Sequence, residues 1–317
     1  MKVLSRNARL LAGVLLLFLG GCASTPQTNM MLAAPHPSLP RHVELTEVPY
    51  FAQDSYQCGP ASLAMALNAA SIKVTPDALK PEVYLPDRHG SLQVEMLGAT
   101  RRHGAIAYQL APELNDVLTE VASGTPVVVL QNLALSWYPI WHYAVVIGYD
   151  LDSADMILRS GPERRQILPM RTFENTWARS NYWAMVTLQP GIIPKTADAT
   201  SYVSAVTALE KVSSPAAMQS SYSAALKRWP DNLAAQIGVG NTAYRMYHLP
   251  QAEAAYRRAT QDHPDSAAAF NNLAQTLADQ GRYKEALIAA HQAVDIGGSL
   301  SQAAQETLTE IESKMRQ

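Results

Sequence analysis

The sequence of 317 residues contains little cysteine and little charge. Its two cysteines, Cys22 and Cys58, are too few for a disulfide-stabilised scaffold. Charged residues make up 16% of the chain, the formal net charge is -2, and no tract rich in lysine or arginine is present, so we expect no nucleic-acid partner. The hydrophobic fraction of 48% fits an ordinary globular protein, and the length predicts two domains.

Recognisable sites for cofactors are also missing from the sequence. No glycine-rich phosphate-binding loop is present. The histidines, among them His89, His103 and His291, do not form pairs with metal-ligand spacing. We therefore predict no cofactor and no metal.

The apolar run near the start of the chain is too short to cross a bilayer. Residues 10–19 are mostly apolar and follow Lys2, Arg6 and Arg9, whereas a transmembrane helix needs about 20 apolar residues. A basic start followed by a short apolar run is typical of a secretory signal peptide, which we place at residues 1–21.

Residues 19–22, Leu-Gly-Gly-Cys, resemble the lipobox of bacterial lipoproteins. This resemblance implies cleavage before Cys22 and acylation of that residue, which would anchor the mature chain to a membrane. An ordinary signal peptide followed by a chance cysteine is the alternative. Ala23 stands where an aspartate commonly marks retention at the inner membrane, so the predicted location is the outer membrane, facing the periplasm.

Acylation of Cys22 would leave Cys58 without a disulfide partner. A free thiol in an oxidising compartment is either buried and inert or kept for its reactivity. Cys58 therefore has two interpretations, a structural thiol and a nucleophile.

The remainder of the chain divides by composition. Residues 22–44 are rich in Ser, Thr, Asn and Pro and predict a tether. Residues 45–189 combine helical stretches with strand-like runs, at 126–130 and 143–149, and predict an α+β domain. Residues 190–198 predict a linker, and residues 199–317 an all-α domain.

The helical domain repeats itself every 34 residues. Small or aromatic residues recur at this period, and proline or glycine closes each unit: Met218, Ala252 and Ala286; Tyr222, Tyr256 and Ala290; Ala225, Ala259 and Ala293; Pro230, Pro264 and Gly298. This spacing resembles the tetratricopeptide repeat, which implies paired helices and binding of a partner protein. Three units fit residues 199–300, and residues 301–316 predict a capping helix. Generic alanine-rich helical hairpins are the alternative.

Cys58 precedes a helical pattern. Leu63, Leu67 and Ala70 share one face, and Pro60 suits a first helical turn, so Cys58 lies at or just before a helix N-terminus. The partial positive charge of a helix N-terminus favours a thiolate, so we expect the pKa of the thiol to be lowered.

Two further side chains complete a possible catalytic set. His142 lies near the start of a predicted strand and would take the thiol proton as general base. Gln53, five residues before Cys58, would donate its side-chain amide to the oxyanion of a tetrahedral intermediate.

The segments Gln53, Cys58-Gly59-Pro60-Ala61 and His142-Tyr143 together resemble the bacteriocin-processing (double-glycine leader) cysteine peptidases. The resemblance covers roughly residues 45–188 and implies a papain-like fold. It also implies that Cys58 is the nucleophile, that His142 is the base and that Gln53 contributes to the oxyanion hole.

One position departs from that family. An Asp-Pro normally follows the histidine strand and orients the imidazole, whereas this sequence has Ser160-Gly161-Pro162. A hairpin turn at residues 150–152 would set His142 opposite Ser160, whose hydroxyl would accept the Nδ1–H without supplying a negative charge. Asp150 and Asn181 are the other candidates, and an ordinary turn residue is the alternative for Ser160.

These features favour a membrane-anchored cysteine peptidase that hydrolyses peptide bonds through an acyl-enzyme on Cys58, while its repeats bind a substrate or partner protein. A catalytically silent, peptide-binding scaffold of the cell envelope is the alternative. Acyl transfer to an amine would use the same cysteine chemistry, and the sequence does not separate the two reactions.

Overall fold

The computed structural model describes residues 25–33, 37–52 and 57–316. The predicted signal peptide, Cys22 and Gln53 lie outside the described residues. Within them, an α+β part is followed by an all-helical part, which confirms the predicted fold class. No helix of this described part combines the length and the apolar character that crossing a bilayer requires.

The α+β part is built on a seven-stranded antiparallel sheet. Its strands follow the order β4–β9–β5–β6–β7–β8, and β1 pairs with β6 beyond the end of β5. A two-stranded ribbon, formed by β2 and β3, lies outside this sheet. The strands are β1 His42–Glu44, β2 Tyr84–Leu85, β3 Gly90–Ser91, β4 Ile106–Gln109, β5 Val127–Asn132, β6 Trp141–Asp150, β7 Asp155–Ser160, β8 Glu163–Pro169 and β9 Ala184–Leu188.

Helices cover both faces of this sheet. Side chains alternate between the faces, so Val128, Tyr143 and Val145 meet one layer of helices while Val129 and Ala144 meet the other. The first layer is α2 Cys58–Ala69, α3 Pro76–Val83 and α4 Gln93–Arg102. The second is α1 Pro26–Ala33, α5 Leu114–Ala122 and α6 Met170–Ala178.

The hairpin between β6 and β7 differs from the predicted one. β6 continues through Asp150, the turn occupies residues 151–154, and Val145 pairs with Arg159. His142 and Ser160 are therefore diagonal neighbours on one face instead of direct partners, because the ladder is shifted by two residues. A bulge between Val146 and Gly148 changes the register within the hairpin.

The tether predicted for residues 22–44 is wrong for its described residues. Glu174 of α6 accepts the backbone N–H groups of Gln27 and Thr28 at 3.0 and 2.7 Å, at the first turn of α1. Met31 is buried in the core beneath the sheet, and β1 extends the sheet itself. Composition is a poor guide here, because these contacts join residues that are more than a hundred positions apart in the chain.

The helical part consists of three helix pairs and a final helix. The second helices of the pairs begin at Pro215, Leu249 and Tyr283, which are 34 residues apart. The helices are α7 Ala199–Leu209, α8 Pro215–Arg228, α9 Leu233–Arg245, α10 Leu249–Asp262, α11 Ala267–Asp279, α12 Tyr283–Ile296 and α13 Ser301–Met315. Tyr222 and Tyr256 pack against Gly238 and Gly240, where a Cβ atom would lie only 2.6 and 2.3 Å from the rings.

The linker predicted for residues 190–198 is packed against both parts. Glu120 of α5 accepts hydrogen bonds from the backbone and the hydroxyl of Thr196, both at 2.8 Å, and Arg228 of α8 donates to the Pro194 carbonyl at 2.8 Å. Ala197 is buried in a hydrophobic cluster that runs from the sheet into α7, α8 and α9. The first repeat and the sheet therefore share one core.

Candidate active site

Cys58 is the first residue of α2. The residues 59–67 that follow it are all buried, and Pro60 occupies the first turn, where a missing N–H costs nothing. The Ser62 hydroxyl donates to the Tyr143 carbonyl at 3.2 Å, so α2 is hydrogen-bonded to β6 immediately after His142. The predicted position of Cys58 at a helix N-terminus is confirmed.

The surroundings of the Cys58 thiol favour its protonated form. Burial raises the pKa of the thiol above its ordinary value, and hydrogen bonds from the backbone of Tyr143 and Gly59 oppose this rise only in part. The predicted lowering of the pKa is therefore wrong, because the loss of solvent around the thiol outweighs the contribution of the helix end.

His142 forms a hydrogen bond with Ser160. Its Nε2 lies 2.9 Å from the Ser160 Oγ, so the two side chains meet as predicted, although through Nε2 and not through Nδ1. Burial lowers the pKa of the imidazole. A raised thiol pKa and a lowered imidazole pKa both favour a neutral pair over a preformed thiolate–imidazolium pair.

Cys58 and His142 line the same cleft, which has a volume of about 870 Å³. One wall comes from residues 88–93 around β3, and the other from residues 139–143, 161–162 and 179–181. Among the residues that the structure describes, the lining includes Arg88 and Arg179 and no Asp or Glu. The cleft therefore disfavours a basic ligand.

Ser91 covers the start of α2 and was not recognised in the sequence. A Cβ atom on Gly59 would lie 2.2 Å from the Ser91 Oγ, and Tyr143 donates its hydroxyl to the Ser91 carbonyl at 3.2 Å. The Ser91 hydroxyl is buried and has no hydrogen-bond partner in the described part of the chain. Only the Cys-Gly pair hinted at this close approach, because a glycine permits what any side chain would obstruct.

The other two candidates for orienting His142 differ in position. Asp150 lies at the far end of β6, where its carboxylate accepts the N–H groups of Asp152 and Ser153 at 2.8 and 3.1 Å. Asn181 lines the cleft in a left-handed backbone conformation, with φ of 55°. Of the three candidates, Ser160 is the one with a hydrogen bond to the imidazole among the described contacts.

No metal-binding arrangement accompanies these residues. In residues 25–33, 37–52 and 57–316, no three His, Cys, Asp or Glu side chains converge to hold a metal ion.

Comparison with known families agrees with this division of the chain. Residues 45–185 match the Peptidase_C39 like family, and residues 240–301 match a tetratricopeptide repeat family. The chain carries a C39-like domain followed by tetratricopeptide repeats. This result confirms the family resemblance seen in the sequence.

Solved structures resemble each part separately. A C39-like peptidase from Bacillus anthracis is 20% identical and covers 47% of this chain and 98% of its own, with a TM-score of 0.40. The peptidase domain of Streptococcus ComA, a bifunctional ABC transporter, is 16% identical over 45% and 98%, with a TM-score of 0.37. The TPR2B domain of yeast Sti1, in a complex with pHsp70, is 15% identical over 37% and 94%, with a TM-score of 0.33. No protein of curated function matches the chain.

Proposed function

We propose that the chain is a cysteine peptidase of the bacterial cell envelope, with Cys58 as nucleophile and His142 as base. The observation that carries the proposal is the shared cleft, in which Cys58 begins a helix and His142 is held by Ser160 through Nε2 at 2.9 Å. A C39-like domain is the setting in which such a pair hydrolyses peptide bonds.

The reaction proceeds by proton transfer through the imidazole. Because Nε2 bonds to Ser160, Nδ1 is the nitrogen that accepts the Cys58 proton as the sulfur attacks the peptide carbonyl. The imidazolium then gives this proton to the leaving amine, and a thioester remains on Cys58. Water, deprotonated by His142, attacks the thioester, releases the carboxylic acid and restores the thiol.

The oxyanion of each tetrahedral intermediate needs donors close to Cys58. The N-terminal end of α2 presents backbone N–H groups that have no partner within the helix. The Gln53 side chain is proposed as the second donor, five residues before the nucleophile.

Hydrolysis of peptides by the full chain tests this function. We expect Cys58→Ala to abolish hydrolysis, and His142→Ala to reduce kcat by at least about 10³-fold, because His142 is the proposed acceptor of the thiol proton. His103→Ala is the matched control, since His103 pairs with Glu82 at 2.9 Å away from the cleft. Hydrolysis that survives Cys58→Ala would contradict the proposal.

The proposed location rests on the predicted acylation of Cys22, and the proposed partners rest on the repeats. We propose that acylated Cys22 anchors the protein to the outer membrane, facing the periplasm, and that the repeats bind a substrate or partner protein. The mass of the N-terminal peptide from purified membranes checks the anchor. A mass equal to that of unmodified cysteine would contradict it.

A non-catalytic scaffold is the second candidate. It is favoured by Ser160, which supplies no negative charge to stabilise a protonated His142, and by the raised pKa of the thiol. Selective labelling of Cys58 by a thiol-directed probe, lost in His142→Ala, would exclude this candidate. Equal labelling of both proteins would support it.

A further inference from the structure

The loop between β5 and β6 exposes a cluster of large apolar side chains. The segment of residues 133–141, which comprises this loop and the first residue of β6, is called the apolar loop below. Six of its side chains are at least half exposed: Leu133 at 50%, Leu135 at 52%, Trp137 at 81%, Tyr138 at 68%, Ile140 at 54% and Trp141 at 51%. Single exposed apolar residues are common on proteins, whereas six in nine residues mark an interaction surface.

The apolar loop has a defined conformation. The Asn132 side-chain oxygen accepts the N–H groups of Ala134 and Ile140 at 3.0 and 2.9 Å, and Leu133 donates to the Ile140 carbonyl at 2.9 Å. Arg179 donates to the carbonyls of Asn132 and Ala134 at 3.1 and 2.7 Å. The exposure of Trp137 and Tyr138 is therefore imposed by hydrogen bonds at the base of the loop.

The composition of the apolar loop matches a bilayer interface. Residues 131–141 contain no charged side chain. Trp137 lies in the turn that the Leu135–Tyr138 bridge closes, and Tyr138 follows it directly. Tryptophan and tyrosine concentrate at membrane–water interfaces, because their rings are apolar and their polar groups bond at the level of the headgroups. Arg179 at the base of the loop supplies a cation where anionic headgroups would lie.

The docked helix α1 and the apolar loop lie at the same end of the sheet. β4 and β5 both pair antiparallel with β9, so Gln109 and Asn132 leave the sheet at one end. Gln27 of α1 donates to the carbonyl of Pro112, in the connection that follows Gln109. Cys22, the predicted anchor, precedes the first residue of α1 by four positions in the sequence.

We infer that the apolar loop inserts Trp137 and Tyr138 into the interface of a phospholipid bilayer. This surface is a second membrane contact that does not depend on the peptidase chemistry, and it rests on the proposed acylation of Cys22 only for its orientation. Pro139, Ile140 and Trp141 also line the cleft of Cys58 and His142. The cleft therefore opens beside the bilayer, and the polypeptides it receives are those held at the membrane surface.

Quenching of tryptophan fluorescence by brominated lipids tests the insertion. The full chain is bound to vesicles of phosphatidylethanolamine and phosphatidylglycerol whose acyl chains carry bromine, and bound protein is confirmed by sedimentation. Trp177 and Trp183 are buried and serve as internal references. We expect strong quenching that falls by about half or more in Trp137→Phe, because the most exposed indole is removed.

A matched control variant places the exposed tryptophan in the repeats instead of the apolar loop. Tyr247 is 76% exposed in the turn between α9 and α10, so Tyr247→Trp in the Trp137→Phe background restores an exposed indole far from the apolar loop. This double variant is expected to show no more quenching than Trp137→Phe alone. Equal quenching of all three chains, or none in the unmodified chain, would overturn the inference.

The remaining outcomes separate this inference from the proposed function. Cys58→Ala should show the same quenching as the unmodified chain, whatever its activity. If Cys22 proves to be unmodified, quenching of that unmodified protein supports insertion by the apolar loop alone. Failure of the same protein to bind vesicles overturns the inference. Two results together would overturn the inference and make the apolar loop a binding site for polypeptides. The first is quenching that Trp137→Phe leaves unchanged, and the second is a shift of Trp137 emission when peptide is added without vesicles.

Discussion

The bond between His142 and Ser160 links two neutral groups. The Ser160 hydroxyl bonds to Nε2 and holds the ring in place, but it adds no charge when the imidazole takes up a proton. Burial acts in the same direction, since it raises the pKa of the Cys58 thiol and lowers that of His142. Both shifts favour a neutral pair, so we expect the thiolate fraction to increase as the pH rises.

A carboxylate in place of Ser160 tests this account. In the unmodified chain, alkylation of Cys58 by iodoacetamide should rise with pH through values above the ordinary thiol pKa of about 8.5. Ser160→Asp should stabilise the imidazolium, shift this profile to lower pH and raise the rate at neutral pH by about tenfold or more. Ser160→Ala removes the bond without adding charge and should not accelerate alkylation. A profile that is the same in all three proteins would contradict this account.

The start of α2 and the β2–β3 ribbon pack closely against each other. Ser91 occupies the space above Gly59, so the ribbon that forms one wall of the cleft depends on a missing side chain. The glycine at position 59 therefore lets the ribbon approach α2 closely, and this approach shapes the cleft.

Gly59→Ala tests the contact. Its Cβ would lie 2.2 Å from the Ser91 Oγ, and overpacking of this kind lowers the free energy of unfolding by about 1–3 kcal/mol. Gly98→Ala in α4 is the matched control, because its Cβ would meet only the end of the Arg102 side chain, at 3.2 Å, and alanine favours helix by up to about 1 kcal/mol. Urea unfolding measures both. Equal stability of the two variants would contradict the packing argument.

Sequence patterns predicted the elements whose signals are local. The helix after Cys58 and the strands around Val128 and Tyr143 have clear apolar periodicity, and so does the 34-residue repeat. The docked α1, strand β1 and the ribbon at Ser91 are held by contacts with distant residues, which periodicity does not report. The register of the β6–β7 hairpin was wrong by two residues, because its turn is longer than predicted and a bulge precedes Gly148.

At the scale of the whole molecule, the first repeat completes the fold of the C39-like domain. Tyr202, Val206 and Tyr222 belong to the same buried cluster as Val129 and Ala144 of the sheet. The outer repeats pack in a separate cluster, which includes Ala274 and Ile311.

Two truncations distinguish these roles. A chain ending at residue 198 loses all the repeat helices, and with them six buried apolar side chains of the shared cluster that are larger than alanine: Tyr202, Val203, Val206, Leu209, Met218 and Tyr222. Each is worth about 1.5–3 kcal/mol, so their sum is comparable to the whole stability of a domain, and we expect this chain to unfold or aggregate. A chain ending at residue 265 keeps the shared cluster and should retain a cooperative thermal transition by circular dichroism. A stable, cooperatively folded 198-residue chain would contradict the shared core.

The packed segment at residues 190–198 also fixes the position of the repeats relative to the cleft. Thr196 and Pro194 are hydrogen-bonded to Glu120 and Arg228, so the two parts have a fixed separation and orientation. A polypeptide held by the repeats would meet Cys58 at an effective concentration set by its own length and stiffness, with no dilution from a swinging linker. Selectivity then becomes a matter of reach: a polypeptide too short to extend from the repeats to the cleft gains nothing from being bound.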